Sequence, residues 1–399
     1  MAMMTAVIED AAAPAQPSGA ISRIAHVEVL QDLHAAEPIW RALQQPPHLS
    51  TPYQRFELLA AWQRHVGAAA QVSPFIVVAS DAERQPLLLL PLGLERGFGL
   101  RIARFLGGKH TTFNMALWQQ EFAQRAGAAD LAALLAGLRG HADKADVLAL
   151  QQQPLSWNGV VNPLSLLPQQ PSVNDCPVLT MAPGAAPLSL ISNSFRRRLM
   201  SKEKKLQPLA GYRYGIASSD AEIDAVLDWF FAVKPLRMAA QNLPDVFAEP
   251  GVAGFIREAC HARRDGGGRA IDIHALRCDD EVIAIFAGVA DGQRFSMMFN
   301  TYTLSDSARY SPGLILMRNI VDHYAALGYS ALDLGIGSDD YKRLFCKSDE
   351  PIFDSFVALT ARGRLGAMAM SAAARAKHVV KHSPGLMRAL QLARGALRR

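Results

Sequence analysis

Cysteine and long apolar runs are both scarce in this chain of 399 residues, and each scarcity excludes a class of protein. The four cysteines, Cys176, Cys260, Cys278 and Cys346, show no paired spacing. That excludes a disulfide framework and a zinc motif and leaves buried thiols; no metal is expected. No apolar run approaches the roughly 20 residues a membrane-spanning helix requires. The stretch from Met1 to Ser18, with Glu9 and Asp10, lacks the basic start and apolar block of a signal peptide. The expectation is cytoplasmic residence, with peripheral contact at the inner face of the membrane as an extension of it. A chain 50% hydrophobic and 19% charged can bury a large core, in two or three domains at this length.

Acid is missing from one region altogether. Residues 361–399 carry nine Lys/Arg and no Asp or Glu, leaving 32 Lys/Arg against 36 Asp/Glu in the remainder. With Leu365, Met368, Val379 and other apolar residues interleaved, this is a basic amphipathic helical tail. Such a helix either lies on an anionic lipid surface, contacts RNA, or packs its apolar face on its own protein.

The first 20 residues, rich in Ala and Pro, read as a disordered leader. Residues 21–187 form a first α/β domain and linker. A strand over 23–30 leads to helices over 32–43 and 53–66, strands over 75–79, 87–94 and 102–106, a helix over 122–138 and a strand over 146–150. The Pro-, Gln- and Ser-rich stretch 151–187 is a connection, with a strand expected at 178–181. Residues 188–360 form a second domain, opened by a basic helix from Ser194 to Leu206. The order that follows is β-α-α-β-β-β-α-β-α-β. It includes helices over 221–240, 252–264, 312–327 and 339–346, hairpin turns at Asp279-Asp280 and Asp291-Gly292, and a last strand over 352–359. Gly266-Gly267-Gly268 precedes a strand instead of opening a helix, so it is a turn and not a phosphate loop.

The stretch Leu332-Asp333-Leu334-Gly335-Ile336-Gly337, followed by Tyr341-Lys342-Arg343-Leu344-Phe345, is a buried strand that breaks at two glycines and restarts as a helix. Glycine leaves room for a ligand, and the new helix offers free N–H groups. Upstream, Arg309-Tyr310-Ser311-Pro312-Gly313-Leu314 opens another helix. Pro at the first turn costs no hydrogen bond, and the helix dipole favours an anion there. These motifs and the element order resemble the GNAT acyltransferase superfamily, in the branch of the cellulose-biosynthesis-type acetyltransferases. That branch is similar to Fem-type transferases with two GNAT-like domains in tandem. The second half carries the resemblance; the first is similar mainly in element order. The chain departs from the Q/R-x-x-G-x-G/A phosphate loop of such enzymes, having Pro312 and Leu314 where small residues belong.

The resemblance implies two tandem GNAT-like α/β domains and acyl transfer from a thioester to an amine or hydroxyl. Acyl-CoA is the first donor, with acyl carrier protein and aminoacyl-tRNA as alternatives. Acceptors are an exopolysaccharide-precursor sugar or a lipid amine, and a catalytically inactive binding module is the remaining alternative. Lys342 would stabilise the oxyanion, Tyr341 protonate the leaving group, and Asp333 orient or deprotonate the acceptor. Arg309, Tyr310, Ser311, Gly313, Leu314 and Asn300 would hold the donor. Gly335, Gly337, His110 and Asn114 would hold the acceptor. Each residue also has a structural reading: Lys342 solvated on a short helix, Asp333 capping a loop, Gly313 packed on a strand. The basic residues Arg196, Arg197, Arg198, Lys202, Lys204 and Lys205 either meet phosphates or an acidic partner, or form a solvated helix face. His274 and His323, each without a spaced partner, read as structural histidines.

Overall fold

The computed structural model describes residues 21–141, 145–182, 184, 186–278, 281–337, 339–383 and 385. Two mixed sheets organise the chain. The first runs His26–Leu30, Ser73–Ser80, Pro86–Gly97, Leu100–Phe105, Val147–Pro154, Ile352–Ala358, Gln170–Pro171, with Leu117–Trp118 on the third strand. The second runs Arg213–Ile216, Asp272–Cys278, Glu281–Ala290, Arg294–Tyr302, Ala331–Asp333, Pro177–Thr180, Ser348–Asp349. The halves exchange strands: Pro177–Thr180 crosses into the second sheet, and Ile352–Ala358 returns to the first, between Val147–Pro154 and Gln170–Pro171.

Alternation along Glu281–Ala290 decides what each face of the second sheet packs against. From Ala284 onward, Ala284, Phe286 and Ala290 enter a core with Ile315, Leu316 and Ile320 of the Pro312–Ala326 helix. Ile285, Ala287 and Val289 point the other way, into a core shared with Asp220–Ala240, Val252–His261 and the first half. This is the period of two expected of a strand buried on both faces, shifted by one residue at the register irregularity beside Ile283. The halves are joined at polar seams as well. Tyr53 Oη donates to Thr112 Oγ1 at 3.0 Å and reaches the Met297 carbonyl at 3.3 Å. The Arg294 guanidinium lies over the rings of Phe113 and Trp157.

Several boundaries differ from expectation for local reasons. The helix expected over 122–138 is two, Gln120–Arg125 and Ala128–Gly140, because Gly127 is extended at the break. The helix expected over 53–66 starts as a 3-10 turn at Pro52–Gln54, becomes α-helical over Phe56–Trp62 and widens over Gln63–Gly67. The strand before the glycine break is only Ala331–Asp333. The Asp279-Asp280 turn and the leader lie outside the described residues, whereas Asp291-Gly292 forms its turn, with Asp291 N–H donating to the Arg294 carbonyl at 3.2 Å.

Candidate functional site

Arg294–Ser296 pairs in parallel with Ala331–Asp333 for three residues, and then the strands part. The glycine break causes the parting, since Gly335 has φ +71° and turns the chain off the sheet. Asp333 locks the paired portion. It is fully buried, accepts from Arg294 Nε at 2.8 Å and from the Ser296 hydroxyl, and takes the Gly335 N–H at 3.1 Å. Arg294 also binds Glu350 at 2.6 Å. Past this lock, Met297–Tyr302 borders open space.

That space is two cavities. One, of about 560 Å³, is lined by Met297–Tyr302, by Ser311, Gly313 and Leu314, by Tyr341 and Lys342, and by Lys234, Arg237 and Phe247. The other, of about 310 Å³, is lined by Lys109–Thr112, by Val252, Phe255 and Ile256, and by Leu334, Gly335 and Ile336. They share Phe247, Met297, Met298, Phe299 and Lys342, so they meet at the splay.

At the first cavity's helical end, Ser311 sits in the left-handed region (φ +59°, ψ +53°) and turns the chain into Pro312–Ala326. Its hydroxyl accepts from Lys202 Nζ at 2.7 Å, which brings the basic helix Asn193–Glu203 to this helix N-terminus. Gly313 has no intrahelical acceptor for its N–H, as its place in the first turn requires. The Leu314 N–H is different from expectation: it donates to the Ser311 carbonyl at 3.0 Å and is not free for a ligand. Arg309 and Tyr310 also depart from the expected set. Arg309 stacks on the Tyr310 ring, which packs on the second core, and neither lines the cavity.

Tyr341 and Asn300 face each other across the opening, Asn300 Nδ2 donating to Tyr341 Oη at 3.2 Å. The phenol's own proton is left to donate into the cavity. Burial pushes its pKa up, so it stays protonated at neutral pH. Lys342 is 3% exposed, which rules out the solvated reading. Its ammonium donates to the carbonyls of Gly335 at 3.2 Å and Ile336 at 2.8 Å and lies 3.7 Å from Asp339. Burial lowers its pKa, with Asp339 opposing. Gly337 lines neither cavity; its N–H donates to the Asp175 carbonyl at 2.9 Å.

In the first half, His110 reaches the second cavity and Asn114 does not. His110 Nδ1 accepts from the Trp62 indole N–H at 3.0 Å. Burial lowers its pKa, so the ring is neutral and its proton is on Nε2, a buried atom with no protein partner. Asn114 holds its own loop instead. It accepts from the Thr111 hydroxyl at 2.9 Å and donates through its backbone to the Gln152 carbonyl and through Nδ2 to that of Gln151. Asp333 likewise lines neither cavity and has both oxygens engaged, so it fixes strands and does not contact an acceptor.

Lys234, Arg237 and Phe247 also line the first cavity and carry no motif in the sequence. Lys234 Nζ donates to the Asn300 carbonyl at 3.0 Å, and Arg237 stacks 3.3 Å from the Tyr302 ring centroid. On the sequence they are cations of an amphipathic helix and an aromatic in a loop, a pattern identical to a solvated face. Of the basic helix, Arg196 is buried on Asp322 at 2.7 Å, while Lys204 and Lys205 are exposed. His274 is buried between the hydroxyls of Tyr214 and Tyr324, a structural histidine. A third cavity, about 530 Å³ and lined by Arg55 and Arg264 between the halves, contains none of the candidate residues. Among the described residues no group of three His, Cys, Asp or Glu could hold a metal ion.

Fold and site together define an α/β protein of two mixed sheets, the second opened into a ligand-sized cleft. Residues 193–343 match the family described as an acetyltransferase (GNAT) domain, a span that contains the splayed strands, the Pro312 helix and Tyr341-Lys342. No curated protein matches the chain. Among solved structures, a conserved protein of unknown function from Bacteroides thetaiotaomicron VPI-5482 is similar at 11% identity and a TM-score of 0.53, over 84% of this chain and 100% of that one. FemX is similar at 7% identity and a TM-score of 0.50, over 79% of this chain and 95% of that one. A tandem GNAT protein from the clavulanic acid biosynthesis pathway is matched more loosely, at 10% identity and a TM-score of 0.40, over 84% of this chain and 98% of that one. At such identities the likeness to the first two establishes fold.

Proposed function

We propose that the protein transfers an acyl group from acyl-CoA to an amine or hydroxyl acceptor. The observation that carries this reading is the pair of cavities meeting at Met297–Phe299 and Lys342. A donor lies in the larger cavity with its phosphates toward Ser311, Gly313 and Lys202 and its acyl chain toward Asn300. An acceptor enters from the His110 side. Its nitrogen or oxygen attacks the thioester carbon, the C–N or C–O bond forms and the C–S bond breaks. Tyr341 gives its proton to the departing sulfur, and the proton shed by the acceptor passes through solvent to restore the phenol. Lys342 places positive charge at the junction, where negative charge develops on the carbonyl oxygen. His110, protonated on Nε2, donates a hydrogen bond to the acceptor and is not its base.

The smaller cavity is apolar apart from Lys109, His110, Thr111, Thr112 and Lys342, and the Lys109 ammonium is paired with Glu249. This favours a lipid amine over a bare exopolysaccharide-precursor sugar. Membership of the cellulose-biosynthesis-type branch rests on the quoted motifs and belongs to the same proposal. Thermal stabilisation tests the donor, because a ligand of the native state raises its stability. Acetyl- or long-chain acyl-CoA and desulfo-CoA are expected to raise Tm. A rise with charged tRNA alone would shift the reading to Fem-like aminoacyl transfer. No rise with any of them would leave an acyl carrier protein donor or a non-catalytic module.

A further inference from the structure

The helix Ala361–His382 has its amphipathicity doubled. Its inner face, through Gly363, Ala367 and Ala374, packs on the first sheet. At about 3.6 residues per turn, Leu365, Met368, Ala372, Ala376 and Val379 fall in one stripe on the opposite side. That stripe faces outward and contains no polar residue, with Leu365 74% exposed, Met368 69% and Val379 54%. A helix that is apolar on its outer face as well as its inner one requires a cover.

We propose that the cover is an anionic lipid bilayer surface, on which this helix lies parallel to the membrane plane. The argument is charge. Arg364 and Arg375 flank the stripe on one side and Arg362 on the other, with Lys377 exposed further round the helix, where long cationic side chains reach headgroups while the stripe enters the acyl boundary. Two of the four have polar partners on the protein: Arg362 pairs with Asp146 at 2.8 Å and Arg375 with Gln170 at 2.9 Å. Arg364 and Lys377 are exposed. No acid occurs anywhere in residues 361–399, which add Arg388, Arg394, Arg398 and Arg399 by sequence. A second copy stacked through the stripe would set like charges against each other, and so would the chain's own C-terminus folded back on it. Neither satisfies the apolar face and the cations together. RNA satisfies only the cations. No helix among the described residues is long and apolar enough to cross a membrane, so contact is at the surface.

Co-sedimentation of the full chain with phosphatidylglycerol/phosphatidylcholine vesicles tests this, with pure phosphatidylcholine vesicles as comparison. Binding to the mixed vesicles alone is expected. The triple substitution Leu365→Ser, Met368→Ser, Val379→Ser and, separately, the pair Arg364→Glu, Lys377→Glu should each weaken it about tenfold or more. Circular dichroism and thermal unfolding of both variants verify that the fold persists, since the altered side chains point away from the sheet. Absence of binding to anionic vesicles, or binding that neither variant weakens, would overturn the proposal. So would stripe-dependent dimerisation in sedimentation velocity, which would assign the face to a second copy, or stripe-independent binding to RNA.

Discussion

Among the described residues each half of the molecule contains one parallel strand pair three residues long, and one of the two opens into a cavity. In the first half Ile102–Arg104 lies beside Val147–Ala149; in the second Arg294–Ser296 lies beside Ala331–Asp333. Just past the first pair, the Asn114 backbone and side chain bond to the carbonyls of Gln152 and Gln151, and Phe113, Met115 and Ala116 are fully buried there. The chain fills its own splay. Past the second pair none of the described residues takes that place, and Met297–Tyr302 faces a cavity. A splayed parallel pair is thus a property of the fold, whereas a site is a splay that the protein leaves unfilled.

The comparison can be broken most severely at Asp333. Asp333→Ala leaves the buried Arg294 without its main partner and should cost about 3–5 kcal/mol, measured by urea unfolding. Tyr341→Phe keeps the packing and removes the proposed acid. It should slow thiol release from acyl-CoA by roughly 10²–10⁴-fold with Tm unchanged. Asn114→Ala unfastens the plug of the first splay and should cost about 1–3 kcal/mol without altering donor binding.

His274 in the second half gives a pH test. Burial, with His323 beside it, holds its pKa down to about 3 against an ordinary 6.5. The unfolded chain therefore takes up this proton first, so the full contribution is present above about pH 6.5 and is lost as pH falls toward 3. The expected slope is up to roughly 1.4 kcal/mol per pH unit, and His274→Gln should flatten it. Gly313→Ala should change stability least, within about 0.5 kcal/mol, because an added Cβ would lie 3.5 Å from the Tyr302 ring, an ordinary contact. A weaker rise of Tm with desulfo-CoA in that variant would mark Gly313 as a ligand contact instead of a packing residue.

The second half was legible because its signals are local: a Pro-Gly helix start, a double-glycine break, a Tyr-Lys pair eight residues past the strand that ends at Asp333. Gly335, Asn300, Ser311, Gly313, Tyr341 and Lys342 all reach the cavities. Asp333 and Asn114 show how a short polar residue near a glycine break has the same sequence pattern whether it meets a ligand or a buried backbone group. Only the hydrogen bonds separate the two. Arg309 and Tyr310 point away from the helix start that follows them in sequence. The strand exchange was invisible, since Ile352–Ala358 finds its partner about 200 residues earlier and a strand's own pattern carries no record of its neighbour. His110 was legible as a polar residue after two glycines. Its Trp62 partner, which settles the tautomer, was not.

Amide hydrogen exchange of the protein with and without desulfo-CoA tests the central claim directly. Protection is expected at residues 297–302 and 311–314, with residues 102–106 and 147–152 unchanged. Protection confined to the first splay, or around Arg55 and Arg264, would contradict the assignment of the open second splay as the donor site.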